Sequence, residues 1–195
     1  MIKPAVLSEE LFIVLLPDGE VLEVAQEVQR RISEHFDLYE EGFYPQIHIT
    51  LDRIKKDNIE DALPIIRQVV EQSEPVEITI DKFECFDCFD NKVLVLDVLT
   101  NKSLDRFATR LHQKLMEEGL STIDNYEQWN YHISLINNVF AKNPLSEKEF
   151  DQLCLTFDGL SSKCKSSAIA VEIWRPTLDP SRKCVESLEL SNKKT

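Results

Sequence analysis

The sequence predicts an α+β domain made of two similar halves, and three observations support this fold class. First, the order strand, helix, strand, helix, strand occurs twice, over residues of about 11–86 and 92–190. Second, the tetrads HITL at 48–51 and HISL at 132–135 occupy the same place in each half, 84 residues apart. Third, no segment rich in Pro, Gly or Ser divides the chain. We therefore expect a single bilobal domain over residues 1–195, with interleaved lobes.

The elements of the first half follow from the spacing of apolar residues. Residues of the third element alternate between apolar and polar, which is typical of a half-buried strand with one polar face. Pro64 conflicts with a regular helix interior, so we expect a late start or a kink there. The predicted elements are a strand at 11–16, a helix at 20–36, a strand at 47–54, a helix at 59–70 and a strand at 76–83.

The second half repeats this order. Gly119 is expected to end a helix in the left-handed conformation. Ser146 and Glu149 are spaced as a capping box at the start of the next helix. The predicted elements are a strand at 92–99 after a loop that holds Asp87, Asp90 and Asn91, a helix at 104–115, a strand at 132–139, a helix from the capping box to about 157, and strands at 167–174 and 185–190.

The composition limits the ligands that the protein can bind. The 195 residues include 22 Lys and Arg but 35 Asp and Glu, for a formal net charge of −13. A surface for long duplex nucleic acid needs clustered cations, so we exclude such partners and retain small or end-bound nucleotides. The four glycines are scattered, which excludes a P-loop and a dinucleotide-binding fingerprint. Any bound phosphate must therefore be held by side chains.

Cysteine use and hydropathy predict a cytoplasmic protein that does not bind membranes. The sequence has no signal-peptide pattern and no run near the roughly 20 apolar residues that a membrane span needs. Five cysteines are an odd number for a disulfide framework, so we expect reduced thiols. Cys85 and Cys88 lack a second pair at zinc spacing and are expected to be ordinary strand-end cysteines.

The two tetrads contain the residues that phosphoryl chemistry requires. Side chains two residues apart on a strand share a face, so His48 lies with Thr50 and His132 lies with Ser134. Imidazole can act as acid or base near neutral pH, and hydroxyls can donate to phosphate oxygens without adding charge. If the halves face each other, these four side chains meet in one cleft. The predicted mechanism requires no metal or cofactor.

Paired His-x-(Thr/Ser)-hydrophobic motifs in a duplicated α+β chain of this length resemble the 2H phosphoesterase superfamily. That group includes the LigT-like RNA 2′,3′-cyclic phosphodiesterases, also known as 2′-5′ RNA ligases. The resemblance implies two antiparallel sheets with flanking helices around a central cleft. It assigns catalysis to His48 and His132 and phosphate binding to Thr50 and Ser134. The implied reaction is hydrolysis of a 2′,3′-cyclic phosphate or a 2′-5′ phosphodiester on a nucleotide or RNA end, by a monomer.

The sequence departs from the LigT-like pattern at one pair of positions. Many LigT-like proteins carry Arg two residues after the motif hydroxyl, whereas this chain has Asp52 and Ile136. Arg53 is adjacent but is expected to point to the other side of its strand. Together with the negative net charge, this departure favours a small cyclic phosphate or a short oligonucleotide end over long RNA.

Two other functions remain open from the sequence. The first is a nucleotide-binding module that has kept the cleft but has no turnover. The second is a metal site in which Asp52 joins the two motif histidines. Of the remaining candidates, His35 and His112 are expected at the surface or at a helix boundary. Core packing is favoured over base stacking for three aromatic residues, Tyr44, Trp129 and Trp174.

Overall fold

The structure is a computed structural model that describes residues 3–40, 43–88 and 91–190. Within these ranges the chain forms seven strands and five α-helices, with short 3-10 turns at Lys56–Asn58 and Tyr126–Gln128. The elements are β1 (Glu10–Pro17), α1 (Gly19–Phe36), β2 (Ile49–Lys55), α2 (Ile59–Glu71), β3 (Glu77–Cys88), β4 (Asn91–Val98), α3 (Lys102–Glu117), β5 (His132–Asn137), α4 (Glu147–Phe157), β6 (Ser161–Trp174), α5 (Pro180–Lys183) and β7 (Cys184–Glu189).

The strands are all antiparallel and lie in the order β1-β2-β5-β4-β3-β6-β7, with β1 also pairing with β6. The strands form one seven-stranded sheet, and the long strand β6 connects its two parts. The first half of β6 pairs with β3, and its second half pairs with β1 and β7. One part of the sheet therefore contains β2, β1 and β7, and the other contains β5, β4 and β3. The predicted α+β fold of antiparallel strands with flanking helices is confirmed, with the strands in a single sheet where two were expected.

The two parts of the sheet are also joined where β2 lies beside β5. Their register contains one antiparallel residue pair, Ile49 with Ile133, and both side chains are fully buried. The first helix, α1, contacts β5 and β6, whereas α3 contacts β2 and β3. Each of these helices therefore packs against strands from the other half of the chain. The two halves share one continuous apolar core, which fixes the positions of β2 and β5 relative to each other.

Local signals place several element ends correctly. Ser146 accepts a hydrogen bond from the Glu149 backbone, and the Glu149 side chain accepts one from the Ser146 backbone, so the capping box is present. Gly119 has a φ of 68° after α3, as expected for a left-handed stop. Pro64 lies inside α2, which nevertheless begins at Ile59. Because Pro64 is exposed, its ring faces solvent and the expected late start does not occur.

Two strands are longer than their apolar alternation predicts. β3 continues to Cys88, and β6 begins at Ser161. These extensions pair with neighbouring strands, so backbone hydrogen bonds maintain them beyond the predicted strand ends. Asp87 consequently pairs with Lys92 in a hairpin instead of lying in a loop. Asp90, which was expected in the same loop, lies outside the described residues.

A disulfide joins Cys85 of β3 to Cys154 of α4. Their Cα atoms are 5.7 Å apart, within the usual range for disulfides. The expectation of reduced thiols is therefore wrong for these two residues. Sequence spacing could not reveal the bond because its partners lie 69 residues apart and meet only through packing of α4 on β3. In the described ranges, no helix is long and apolar enough to cross a membrane.

Candidate active site

The β2–β5 register brings the two tetrads together. His48 directly precedes β2, and His132 is the first residue of β5. Because Ile49 pairs with Ile133 in an antiparallel ladder, His48 lies beside Ser134 and Thr50 beside His132. The two isoleucines point into the core, so the four polar side chains occupy the opposite face. All four are half-buried.

The two histidines make the same local hydrogen bond. His48 Nδ1 lies 2.8 Å from the Gln46 carbonyl, and His132 Nδ1 lies 3.0 Å from the Asn130 carbonyl. A carbonyl oxygen can only accept, so each Nδ1 carries the proton and each Nε2 remains available for proton transfer. The motif hydroxyls of Thr50 and Ser134 likewise have no hydrogen-bond partner among the described residues. The arrangement offers two Nε2 atoms and two hydroxyls to a ligand.

Burial lowers the pKa of both histidines. The pKa of His48 falls to about 4, chiefly through burial and also through the positive charges of Lys183 and His132. The pKa of His132 is also lowered by burial, which outweighs the opposing hydrogen bond to Asn130. Both shifts favour the neutral form of the ring in the free protein. An anion bound between them would favour protonation of one ring.

Aromatic side chains form the apolar wall beside each histidine. The Trp174 ring centroid lies 4.7 Å from that of His48, and the Phe86 centroid lies 5.2 Å from that of His132. Trp174 is buried, as expected for core packing, and also borders the site. Phe86 was not anticipated, because it lies beyond the predicted end of β3. Tyr44 packs edge-on against Tyr39, and Trp129 packs on the core.

Three side chains hold the segments around the tetrads together. Buried Gln29 of α1 donates from Nε2 to the Pro45 carbonyl at 2.9 Å and to the Leu135 carbonyl at 3.1 Å. Trp129 Nε1 donates to the Thr50 carbonyl at 3.0 Å. The Tyr126 hydroxyl donates to the Leu51 carbonyl at 3.1 Å. These bonds add to the single β2–β5 residue pair and fix the spacing of the two tetrads.

Gln29 could not be identified from the spacing of apolar residues in the helix predicted at 20–36. Val24 and Val28, which recur at helical spacing, are only half-buried. The face that packs inward passes through Ala25, Gln29 and Ser33. The available signal was that Gln29 shares a helix face with Ala25, four residues earlier. A glutamine on a buried face requires hydrogen-bond partners for its amide.

Asp52 belongs to a buried polar cluster beneath the site. Its Oδ2 lies 2.8 Å from His112 Nδ1, and its Oδ1 accepts a hydrogen bond from Ser121 Oγ at 2.6 Å. The His112 ring stacks on Tyr126 at a centroid distance of 3.8 Å. The expected surface or boundary position of His112 is therefore wrong, because its side chain pairs inward with Asp52. His35, in contrast, is exposed as expected.

The hypothesis of a metal site through Asp52 lacks geometric support. Both carboxylate oxygens of Asp52 are occupied by His112, Ser121 and the Arg53 backbone. Within residues 3–40, 43–88 and 91–190, no group of three or more His, Cys, Asp or Glu side chains is placed to hold a metal ion. The expected cluster of Asp52 with the two motif histidines is therefore not formed.

Lys183, which the sequence did not single out, is a cation near the site. Arg53 is buried in an ion pair with Glu10 at 3.2 Å and does not reach the cleft. Ile136 is fully buried and carries no charge. Lys183, the last residue of α5, places its Nζ 4.6 Å from the Trp174 ring centroid. It is far from both tetrads in sequence, and no local pattern connects it with them.

Two cavities elsewhere in the molecule are lined by other residues. A cavity of about 620 Å³ lies between the start of α1 and the middle of β6, beside Asp18, Ser166 and Glu172. A second, of about 430 Å³, lies between α1 and α4 and is mainly apolar, with Phe36 and Leu153 in its lining. The histidine pair lines neither cavity. We base the candidate site on its convergent polar groups, because size alone says nothing about chemistry.

The structure places two His-x-(Thr/Ser) motifs side by side in an antiparallel α+β fold, which is the arrangement that the resemblance to the 2H phosphoesterase superfamily implies. Solved structures share the fold. TT0787 of Thermus thermophilus matches with a TM-score of 0.66 at 16% identity, over 93% of this chain and 97% of that protein. E. coli LigT complexed with 3′-AMP matches with a TM-score of 0.58 at 11% identity, over 94% and 98%. Its complex with ATP gives a TM-score of 0.53 at 11% identity, with the same coverage.

The sequence itself identifies the family more closely. The model of the AKAP7 2′5′ RNA ligase-like domain matches residues 12–177, which include both tetrads. The chain belongs to this family. No curated protein matches the chain as a sequence relative.

Proposed function

We propose that this protein is a phosphodiesterase that uses His48 and His132 as an acid–base pair. The observation that carries the proposal is the matched hydrogen bonding of the two rings. Each Nδ1 donates to the carbonyl two residues earlier, which leaves both Nε2 atoms free on neighbouring strands. Thr50 and Ser134 are proposed to bind the non-bridging phosphate oxygens. The proposed substrate carries a 2′,3′-cyclic phosphate or a 2′-5′ phosphodiester on a nucleotide or RNA end.

The proposed hydrolysis follows an in-line course. One neutral histidine takes a proton through Nε2 from water as the water oxygen forms a bond to phosphorus. The other histidine, protonated, gives its Nε2 proton to the ester oxygen as the opposite P–O bond breaks. The product is a phosphate monoester with a free hydroxyl. The two histidines then exchange protons with solvent, and which of them acts as base depends on the direction of the reaction.

Two observations support a nucleotide as the ligand. E. coli LigT, which shares the fold, has been solved with 3′-AMP, with NADP+ and with ATP. The net charge of −13 disfavours long duplexes and leaves a short RNA end or a mononucleotide as the proposed substrate. The cytoplasmic location and the monomeric state stay predictions from the sequence.

The decisive experiment compares three histidine variants on adenosine 2′,3′-cyclic phosphate and on 2′-5′-linked diadenosine. His48→Ala and His132→Ala should each lower kcat by about 10²–10⁴-fold, the usual contribution of a general acid or base. The control is His35→Ala, because His35 is exposed on α1 and should leave kcat unchanged. Melting temperatures should be similar for all three variants. Full activity in either motif variant would refute the assignment.

The same assay tests the alternative of a non-catalytic nucleotide-binding module. That alternative predicts saturable binding of 3′-AMP with no product from either substrate after long incubation. Activity that is unchanged in excess EDTA is a further requirement of the proposed mechanism, since every proton transfer is assigned to a side chain.

A further inference from the structure

We propose that Lys183 binds the phosphate group of the substrate and supplies the positive charge that an arginine provides in many LigT-like proteins. This inference rests on the proposed function, because it concerns the same cleft. It adds a residue to the site and specifies the ligand's charge. The ligand class is a phosphate mono- or diester anion whose phosphorus lies between the two histidines.

Lys183 is a largely buried cation without a counter-ion. The residue is only 7% exposed, and no carboxylate within the described part of the chain forms an ion pair with it. Burial lowers its pKa, and the more distant charge of Glu172 opposes this. Both carboxylate oxygens of Glu172 are already engaged, one by Trp174 Nε1 and one by Ser187. The ammonium group lies over the Trp174 ring and is paired with no carboxylate, so a bound anion would supply the charge partner that a largely buried lysine usually has.

Lys183 also lies near His48, one of the two proposed catalytic residues. Trp174 lies between them, since its ring centroid is 4.6 Å from Lys183 Nζ and 4.7 Å from the centroid of the His48 ring. The charge of Lys183 also acts on His48, whose pKa it helps to lower. A phosphate bound at the His48–Ser134 edge of the site would therefore lie in the field of this ammonium group.

No cation stands at the two positions where many LigT-like proteins carry arginine. Asp52 and Ile136 occupy those positions, and both are fully buried. Arg53 is committed to Glu10 and to the Lys3 carbonyl. An anionic substrate approaching a protein of net charge −13 requires local positive charge at the binding site. Among the residues discussed for the site, Lys183 supplies it.

The test measures binding of inorganic phosphate and 3′-AMP to the wild-type protein, Lys183→Met and Lys183→Arg. Met keeps most of the aliphatic stem beside Trp174 and removes the charge. We expect Lys183→Met to raise both dissociation constants about tenfold or more, and Lys183→Arg to retain most of the affinity. The matched control is Lys163→Met, which makes the same change in net charge at an exposed lysine on β6. It should bind as the wild type does.

Two further measurements separate ligand binding from a structural role. Removing an unpaired buried charge should leave the melting temperature of Lys183→Met unchanged or higher, whereas loss of a structural contact would lower it. An NMR titration should show the pKa of His48 moving upward in Lys183→Met, because the positive charge of Lys183 that lowers it is gone. A lower melting temperature together with unchanged affinity would overturn the proposal.

The binding test of Lys183 and the phosphodiesterase assay can fail separately. If wild-type protein hydrolyses the cyclic phosphate and Lys183→Met retains wild-type affinity and KM, the inference fails and the proposed function stands. If wild-type protein shows no turnover but binds phosphate in a Lys183-dependent manner, the phosphate site stands and catalysis does not.

Discussion

Each motif histidine is oriented by its own chain, through a carbonyl two residues earlier, and is then desolvated by an aromatic neighbour. The first effect places the proton on Nδ1, and the second favours the neutral ring. Trp174 and Phe86 come from β6 and β3, so the electrostatic state of the histidines depends on residues outside the tetrads. A neutral, oriented ring suits a general base. A phosphate anion bound between the rings is expected to favour protonation of the other ring.

The lowered histidine pKa values predict an acid-shifted pH profile. The kcat/KM of a free enzyme falls at low pH when its base gains a proton and at high pH when its acid loses one. Because the pKa of His48 is about 4 and that of His132 is also below its ordinary value, the maximum of kcat/KM should lie below pH 6.5. Initial rates from pH 4 to 9 on adenosine 2′,3′-cyclic phosphate test this. A maximum above pH 8 would contradict it.

Asp52 is predicted to contribute to the stability of the fold. Replacing Asp52 with Ala leaves His112 and Ser121 without their buried partner. We expect the free energy of unfolding to fall by about 3 kcal/mol, the scale for breaking a buried polar pair. Urea denaturation measures this, with Asp57→Ala as the control because Asp57 is exposed. Equal stability of the two variants would show that the cluster contributes nothing.

At the scale of elements, β3 carries both a wall of the site and a covalent link. Phe86, which faces His132, directly follows Cys85, which is bonded to Cys154 of α4. The disulfide therefore anchors the β3–β4 hairpin to α4, one residue away from the Phe86 side chain that packs beside His132. Strand β6 has a comparable role, because its last residue, Trp174, faces His48.

The disulfide is predicted to stabilise the fold. The double variant Cys85→Ser/Cys154→Ser should lower the free energy of unfolding by about 2–4 kcal/mol, since a cross-link between distant residues restricts the unfolded chain. Cys184→Ser is the control, because Cys184 is free and exposed. Thiol titration of denatured protein should find two fewer reactive thiols before reduction than after it, when all five cysteines react. Five reactive thiols before reduction would show that the bond does not form.

At the scale of the whole molecule, the negative net charge opposes the approach of a polyanionic ligand to the cleft. A net charge of −13 repels a polyanion, whereas the phosphate site proposed at Lys183 would attract a single phosphate group. The field should therefore select for ligand size. Short ligands bring few charges into the repulsive field, and long RNA brings many.

This selection predicts a salt dependence opposite to that of basic nucleic-acid-binding proteins. At about 10 mM salt, kcat/KM for a 20-nucleotide RNA with a cyclic phosphate end should be lower than for the mononucleotide. The difference should shrink as salt is raised to about 150 mM, because screening weakens the repulsion. Steady-state rates on both substrates across this range provide the measurement. A kcat/KM for the long RNA that falls with salt would contradict the prediction.

The sequence by itself determined the fold class, most elements and the two tetrads. Alternating and helical spacing carries that information locally, because burial of one face imposes a period of 2 on strands and 3.6 on helices. Ser146 with Glu149 and the left-handed Gly119 show the same, since each acts within one turn of its helix. The chemistry proposed for His48 and His132 was likewise visible from residue types.

The tertiary structure alone decided which side chains meet. The disulfide joins residues 69 positions apart, Gln29 connects two segments across α1, and His112 turns inward to Asp52. Lys183 reaches the site from the end of α5, by way of Trp174. Such contacts depend on how the sheet and its helices pack, which no local period encodes. The tetrads thus suggest the chemistry that we propose, and packing determines the charge and the burial of the residues around them.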